Sequence, residues 1–494
     1  MTKSSVPAIF DRRRAGVLMH ISSLPGPHGI GDLGPAAHAF VDWCVAAGLS
    51  IWQVLPLGPV GPGNSPYASA SSFAGEPLFV SLDALAEDGL LSREACRVPR
   101  TSPRASPRAR ANSRSADLDG EAVQYAAARA CKLPLLMQAF ETWRTKRGHR
   151  ARGYQAFLRR ESAWLPGWCR FACAQRGAWK HPGFHAFVQW QFERQWQALK
   201  AHCAANGVLV LGDVPIFVPL QSADVADNPG LFRLDASGKP TVRTGVPPDC
   251  FSRTGQLWGH PHYRWSEHLR TRFAWWTARV QHALRRCDAL RIDHFVGFVH
   301  AYEVPGAART ARRGAWKPAP GLQLLTALER ACGTLPLVAE DLGAVTPRVV
   351  ALREQFGLPG MKLVHNAFYG AASDDLPCKH PVDCVAYAGT HDNDTTLGWW
   401  KHLKAPARAR FADYAGVAVS RPQSIPCAMM RIVMQSPAQT AIVAMQDALG
   451  LDGSARMNTP GRGTGQWRWR MAANALRSRD AARIRALAQV SARA

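Results

Sequence analysis

Three observations predict that this 494-residue chain is an α/β protein of the (β/α)8, or TIM-barrel, class. Eight short runs rich in apolar and β-branched residues follow one another, helical stretches separate them, and the fourth, fifth and seventh open into the carboxylates Asp293, Glu340 and Asp392. Near-continuous apolar runs mark parallel strands covered on both faces. Strands that open into acids are how such a barrel presents reacting groups to one mouth. An open doubly wound sheet is the alternative architecture. It calls for a glycine-rich phosphate-binding turn early in the chain, and none is present.

The first run is GVLMHIS (16–22) and the second SIWQVLPL (50–57), with PAAHAFVDWCVAAG (35–48) as the helix between them. The third, GVLVLGDVPIF (207–217), and the fourth, DALRID (288–293), are separated by a Trp- and Arg-rich helical stretch around 264–286. LPLVAED (335–341) follows GLQLLTALERACG (321–333), and GMKLVHNAF (360–368) follows TPRVVALREQFG (346–357). Thr346 and Pro347 read as a helix start, a capping residue followed by proline at the first helical position. CVAYAGTHD (384–392) and TAIVAMQD (440–447) complete the set.

Two connections are too long for simple barrel loops. Residues 58–206 are expected to form an inserted, mainly helical subdomain, from amphipathic patterns around 133–143 and 184–199. Residues 218–287 are expected to form a second insertion carrying an active-site lid at 245–262. The whole chain, 1–494, then reads as one catalytic barrel. Within the first insertion, 97–115 is rich in arginine, serine and proline and holds no acid. That is the composition of an exposed, disordered loop, favoured here over an RNA-binding tail.

A net charge of +24 ordinarily suggests an anionic partner. The excess is arginine spread along the chain, with no basic helix, RNP-like signature, zinc-finger spacing or helix-turn-helix. Nucleic acid is therefore not the expected partner. The twelve cysteines contain no C-x-x-C pair, and Cys169 and Cys173 have the spacing of one helix face. Such usage points to a reducing compartment. Neither a signal-type leader nor a membrane-length apolar run is present, so a soluble cytoplasmic protein is expected. Nothing in the pattern bears on oligomeric state.

Alternation along a strand puts Arg291 and Asp293 on the same side. A guanidinium there keeps the acid ionised and oriented, as a nucleophile needs, although Arg-x-Asp by itself equally describes a structural ion pair. Of Glu340 and Asp341, one must face the barrel axis and the other away. A general acid must be protonated near neutral pH, and burial beside a second carboxylate would achieve that for Glu340. Asp341 is assigned the lesser task of capping the following helix. His391, Asp392, Asn393 and Asp394 crowd the end of another strand. They lack the glycine turn and distal glutamate of a calcium loop, so sugar hydroxyls are favoured over a metal.

GVLMHISSLPGPHGIGDLG (16–34), WQVLPLGPVGPGNSPYASASSFAG (52–75) and LGDVPIFV (211–218) resemble the amylomaltase, or 4-α-glucanotransferase, family. So do GVPPDCFSRTGQLWGHP (245–261), RIDHF (291–295), AEDLG (339–343), GTHDNDTTLGWW (389–400) and ARMNTPG (455–461). The resemblance runs in order from about residue 15 to residue 470. It implies that Asp293 is the nucleophile of a β-glucosyl-enzyme, that Glu340 is the acid/base, and that Asp392 grips the donor ring and stabilises the transition state. It further implies that Arg291, His294, His391 and Asp213 line the same subsite. Asp249 and Trp258 would belong to the lid, Asn64, Ser65 and Tyr67 to a second wall, and Asn458 to a third. The implied reaction passes an α-1,4-glucan segment from a maltodextrin donor to the 4-hydroxyl of another glucan, with retention and without a cofactor or metal. Retention calls for catalytic carboxyls about 5–5.5 Å apart.

Several positions depart from the family pattern. Cys250 stands where tyrosine is common, His260 where asparagine is common, and Pro62 replaces a frequent tyrosine. HAYEVP (300–305) lacks the usual tryptophan, and Val-His-Asn (364–366) replaces Leu-Gln-Phe. None is one of the three acids. A retaining α-1,4-glucan hydrolase and a non-catalytic glucan-binding protein are the alternative readings, and the intact acids weigh against the second. Trp258 is balanced between a sugar platform and a loop anchor, whereas Trp467 and Trp469 read as core.

Overall fold

The computed structural model describes residues 7–97, 120–175, 177–248, 252–370 and 373–494. The Arg/Ser/Pro stretch beyond residue 97 lies outside them, as do Asp249, Cys250, Phe251 and the side chain of Pro62. The described strands, in chain order, begin with β1 (Arg14–Leu18), β2 (Ile51–Gln53), β3 (Leu209–Pro215), β4 (Val242–Val246), β5 (Gln256–Pro261) and β6 (Ala289–Asp293). They continue with β7 (His300–Pro305), β8 (Ala315–Pro318), β9 (Leu337–Ala339), β10 (Gly360–Leu363), β11 (Cys384–Tyr387) and β12 (Thr440–Ala444).

Eight of these form one sheet in the order β10-β11-β12-β1-β2-β3-β6-β9, and each neighbouring pair is parallel. The sheet's two ends meet where the Ala339 N–H donates to the Pro359 carbonyl at 2.9 Å. The result is a (β/α)8 barrel in which every predicted run supplies one strand, in chain order round the ring. Most strands are shorter than their runs because the last residues of the run leave the sheet; β6 alone keeps its run's final residue, Asp293. β1, β2, β9 and β11 are buried along their whole length, which explains why their sequences show no polar alternation.

The helix predicted after residue 346 spans Pro347–Gln355, but Thr346 does not cap it through its side chain. Its hydroxyl is buried without a hydrogen-bond partner. Asp341 also departs from its expected task. It accepts from the Met361 N–H at 2.8 Å and pairs with Arg353 at 3.2 Å, so it ties β9 to β10 rather than capping a helix.

Between β2 and β3, the helices Tyr125–Thr145, Arg152–Arg160, Leu165–Ala174 and Pro182–Ala205 pack through an aromatic seam. In that seam Trp143 stands 5.0 Å from Phe187 and 4.8 Å from Tyr154. The remaining four strands form a separate antiparallel sheet, β5-β4-β7-β8. It has a small apolar core of Tyr302, Val304 and Ala311, with Leu257 and Ala308 against it. Gly255 closes the β4–β5 turn at φ +71°, and a Cβ there would lie 2.5 Å from the Val246 carbonyl oxygen and 2.9 Å from the Ala311 Cβ. Trp316 on β8 stacks edge-on to His300 at 4.8 Å, placing a tryptophan beside the strand that lacks one of its own.

Much of the arginine is structural. Arg13, Arg279, Arg408, Arg410, Arg470, Arg485 and Arg493 donate to backbone carbonyls at loop and helix ends. Arg493, 2 % exposed, reaches the carbonyls of Met434, Arg14, Gln439, Ser436 and Ala438 at 2.5–3.1 Å. It thereby staples the chain's end to the floor of the barrel, beside β1 and β12. Arg13 also donates to the carbonyls of Met434, Ser436 and Ala438, and the Arg14 N–H to that of Gln439, so Arg493→Ala weakens these acceptors without stranding them all. A net loss of about 1–3 kcal/mol is expected, read as a lower urea midpoint at unchanged slope.

Candidate active site

The register of the barrel sets the site. Ile292 is level with Ala339, so Asp293 and Glu340 occupy the next rung on adjacent strand ends. Beyond the strands the pairing continues: the Glu340 N–H donates to the Ile292 carbonyl, and the Phe295 N–H to the Glu340 carbonyl, both at 3.1 Å. On the other side, Asp213 of β3 is level with Arg291 of β6. One guanidinium therefore sits beside several carboxylates.

Arg291 donates to both Asp213 oxygens, at 2.8 and 3.0 Å, and pairs with Asp293 at 3.0 Å. The Tyr67 hydroxyl donates to Asp213 at 2.7 Å. Burial raises the Asp213 carboxyl above its usual range, while Arg291 and Tyr67 pull the other way by stabilising the charged form. Burial would lower Arg291, but Asp213, Tyr67, Asp293 and Glu340 hold its guanidinium firmly protonated.

Glu340 makes no ion pair among the described residues; its Oε2 accepts from the His294 backbone N–H at 2.6 Å. Burial pushes its carboxyl up to about 8. Arg291 and the His294 N–H oppose this, and the charges of Asp293 and Asp341 reinforce it. Two acids on one rung are thus held differently: Asp293, its side chain 28 % exposed, pairs with the guanidinium, whereas burial favours the protonated form of Glu340.

His294 directly follows the nucleophile position in a left-handed conformation, φ +55°. That turn swings its ring against Trp258 of β5, edge-on at 4.8 Å. Burial lowers the His294 imidazole to about 4, so it is neutral at physiological pH. His391 is likewise lowered by burial, with Asp392 opposing. The His391 ring stacks on Tyr67 at 4.9 Å, and Trp467 closes the same corner 5.7 Å from His391. Trp467 and Trp469 are buried, as expected of core residues.

Asp392, after β11, is gripped from the opposite loop. The Asn458 side-chain amide donates to Asp392 Oδ1 at 2.5 Å, and the Asn458 backbone N–H to the His391 carbonyl at 3.1 Å. Asn393 accepts from the Thr390 N–H at 2.8 Å and braces the turn. Ser65 accepts from the Tyr67 N–H at 3.3 Å, so it orients Tyr67. Asn64 stands at the rim with φ +61° and enters none of these contacts. Asp249 lies outside the described residues. The structure thus gathers Asp213, Arg291, Asp293, His294, Glu340, His391, Asp392, Asn458, Tyr67 and Trp258 at one barrel mouth. Among the described residues, no group of three or more His, Cys, Asp or Glu side chains is placed to hold a metal.

Sequence reasoning passed over Arg456. Its Nη2 donates to the Asp392 carbonyl and its Nε to the Asn458 carbonyl, both at 2.6 Å. The signal was its place in ARMNTPG (455–461), from which only Asn458 had been drawn.

A family model described as 4-alpha-glucanotransferase matches residues 19–182 and 172–475. The 4-alpha-glucanotransferase of Thermus thermophilus is 41% identical over 517 residues, covering 97% of this chain and 99% of that protein. The chloroplastic/amyloplastic 4-alpha-glucanotransferase of Arabidopsis thaliana is 38% identical, covering 94% of this chain and 83% of that one. Among solved structures, the amylomaltase of Streptococcus agalactiae in complex with acarbose superposes with a TM-score of 0.89. It is 33% identical over 98% of this chain and 100% of the other. A barrel closed in this order, a mouth lined with unlike acids and near-complete coverage agree: the chain belongs to the 4-alpha-glucanotransferase family.

Proposed function

We propose that this mouth performs the family's transfer by a retaining, two-step route on maltodextrins. The observation that carries the reading is the shared rung of Asp293 and Glu340, with the cation on one acid and the proton on the other. Adjacent parallel strands lie roughly 4.8 Å apart, which suits the separation of about 5–5.5 Å that retention needs.

In the first step the Asp293 carboxylate attacks the anomeric carbon while Glu340 passes its proton to the departing glycosidic oxygen. The C1–O bond breaks, the shortened glucan leaves with a free 4-hydroxyl, and a β-glucosyl ester remains on Asp293. In the second step the Glu340 carboxylate takes the proton from an acceptor 4-hydroxyl, whose oxygen displaces Asp293. Each step inverts C1, so the α-linkage is restored. The glucosyl group passes from donor to Asp293 to acceptor and the proton Glu340 gives in the first step returns in the second, so the balance closes without a cofactor or metal.

Asp392, fixed by Asn458, grips ring hydroxyls of the donor sugar. Neutral His294 and His391 are suited to donate to uncharged hydroxyls, and Trp258 offers a ring to an acceptor glucose. The S. agalactiae amylomaltase holds acarbose, which supports an oligosaccharide in this mouth. Transfer in preference to hydrolysis requires a lid, for which the segment around β4 and β5 is the candidate, to exclude water while an acceptor waits. We also infer a cytoplasmic location, because the described cysteines are free thiols.

Incubation with maltotriose tests the reading. Glucose and a ladder of longer glucans are expected while reducing ends stay nearly constant. A steady rise in reducing ends without longer products would replace the transferase with a hydrolase.

A further inference from the structure

The acids of the mouth differ in how they are held. Asp213 and Asp293 share Arg291 through direct ion pairs. Among the described residues Asp392 has no arginine on its carboxylate; its Oδ1 takes a neutral amide from Asn458, and its Oδ2 lies 3.5 Å from a His391 ring that burial keeps neutral. A guanidinium bonded to this corner grips peptide carbonyls instead. Arg456 spans the Asp392 carbonyl and the Asn458 carbonyl with two of its N–H groups, at 2.6 Å each. It thereby joins the backbone of the acid to the backbone of the residue that orients the acid. We infer that Arg456 is a positioning residue for transfer: it sets the angle at which Asp392 meets the donor ring and leaves both carboxylate oxygens free of a competing charge.

Three features support this. The loop carrying Asp392 (390–394) and the loop carrying Asn458 follow different strands, β11 and β12, and Asn458 crosses between them through its amide to Asp392 and its N–H to the His391 carbonyl. Arg456 adds a planar fork that holds two further carbonyls, one from each loop, at a set separation. Arg456 is half-buried and makes no ion pair with a carboxylate among the described residues; burial lowers its guanidinium from the usual range, and the charges of Asp394 and Asp392 oppose this. Other arginines of this chain also bind carbonyls, as Arg493 does at the floor of the barrel; Arg456 differs in that one of its two carbonyls belongs to Asp392 itself. Spent this way, it preorganises the acid without neutralising it, which is what a group that strengthens its hold only in the transition state requires.

The inference rests on the proposed role of Asp392, so the experiment carries both. Kinetics of maltotriose disproportionation are measured for Arg456→Ala, Arg456→Lys, Asp392→Asn, the Arg456→Ala/Asp392→Asn double variant and Arg462→Ala. Arg462 is an exposed arginine of the same loop whose side chain makes none of these contacts. Arg456→Ala is expected to lower kcat about 30–300-fold with KM changed less than about threefold, because ground-state binding uses the other walls. Arg456→Lys, able to reach one carbonyl at a time, should recover part of that loss. The double variant should be no slower than Asp392→Asn alone, and Arg462→Ala should match wild type.

Wild-type kcat in Arg456→Ala, or a loss that simply adds to that of Asp392→Asn, would overturn the positioning role. Should the alanine variant not fold, the lysine variant decides on its kcat, with wild-type turnover as the overturning result. Wild-type kcat in Asp392→Asn would instead refute the underlying assignment of Asp392.

Discussion

Asp293→Asn is expected to lower kcat for maltotriose disproportionation by at least about 10,000-fold, equivalent to about 5.5 kcal/mol of transition-state stabilisation. The amide is nearly isosteric and can still accept from Arg291, now at 3.0 Å from the acid, so the protein should fold and bind glucan. What it cannot do is form the ester through which both half-reactions pass. The same substitution has a second consequence. The Asp293 charge is one of the forces that raise Glu340, so its removal should move the Glu340 titration toward lower pH. Carboxyl-selective NMR of the two proteins would read that shift directly. Turnover surviving at the wild-type rate would end the nucleophile assignment, and an unmoved Glu340 would mean the acids do not sense each other.

Glu340→Gln should cost about 100- to 10,000-fold on maltotriose, the usual span for a lost proton donor. The loss should be smallest for the first step on α-glucosyl fluoride, whose leaving group needs no proton. The pH profile follows from the direction of the shift. The donor works only while protonated, and burial holds Glu340 up to about 8. Wild-type kcat/KM should therefore be intact below that pH and fall as pH rises through it. In Glu340→Gln this alkaline limb should vanish. An alkaline limb that persists in the variant would assign it to another group and remove Glu340 from the acid/base role.

The barrel was readable because its signal is repeated. Each buried strand writes an unbroken apolar run, and eight such runs in series leave few other arrangements. Arg291 and Asp293 were readable for a local reason, since two residues on one strand share a face whatever surrounds them. The antiparallel sheet was not. VRTGV and QLWGHP are mixed in polarity and half-exposed, and the strand that extends their pair into a sheet, β7, lies on the far side of β6 in sequence. Asp341 was misassigned because its acceptor role is set by β10, twenty residues on. Arg456 escaped notice because a guanidinium that binds carbonyls leaves no complementary acid in the sequence to betray it.

The antiparallel sheet has one further property. β4 and β5 enter it before β6, and β7 and β8 follow β6 to join it, with only the turn through His294 and Phe298 between. The sheet is therefore tethered to the strand that bears Asp293 by a very short leash. A displacement of the one has to be transmitted to the other, so substitutions in that leash should be felt in both.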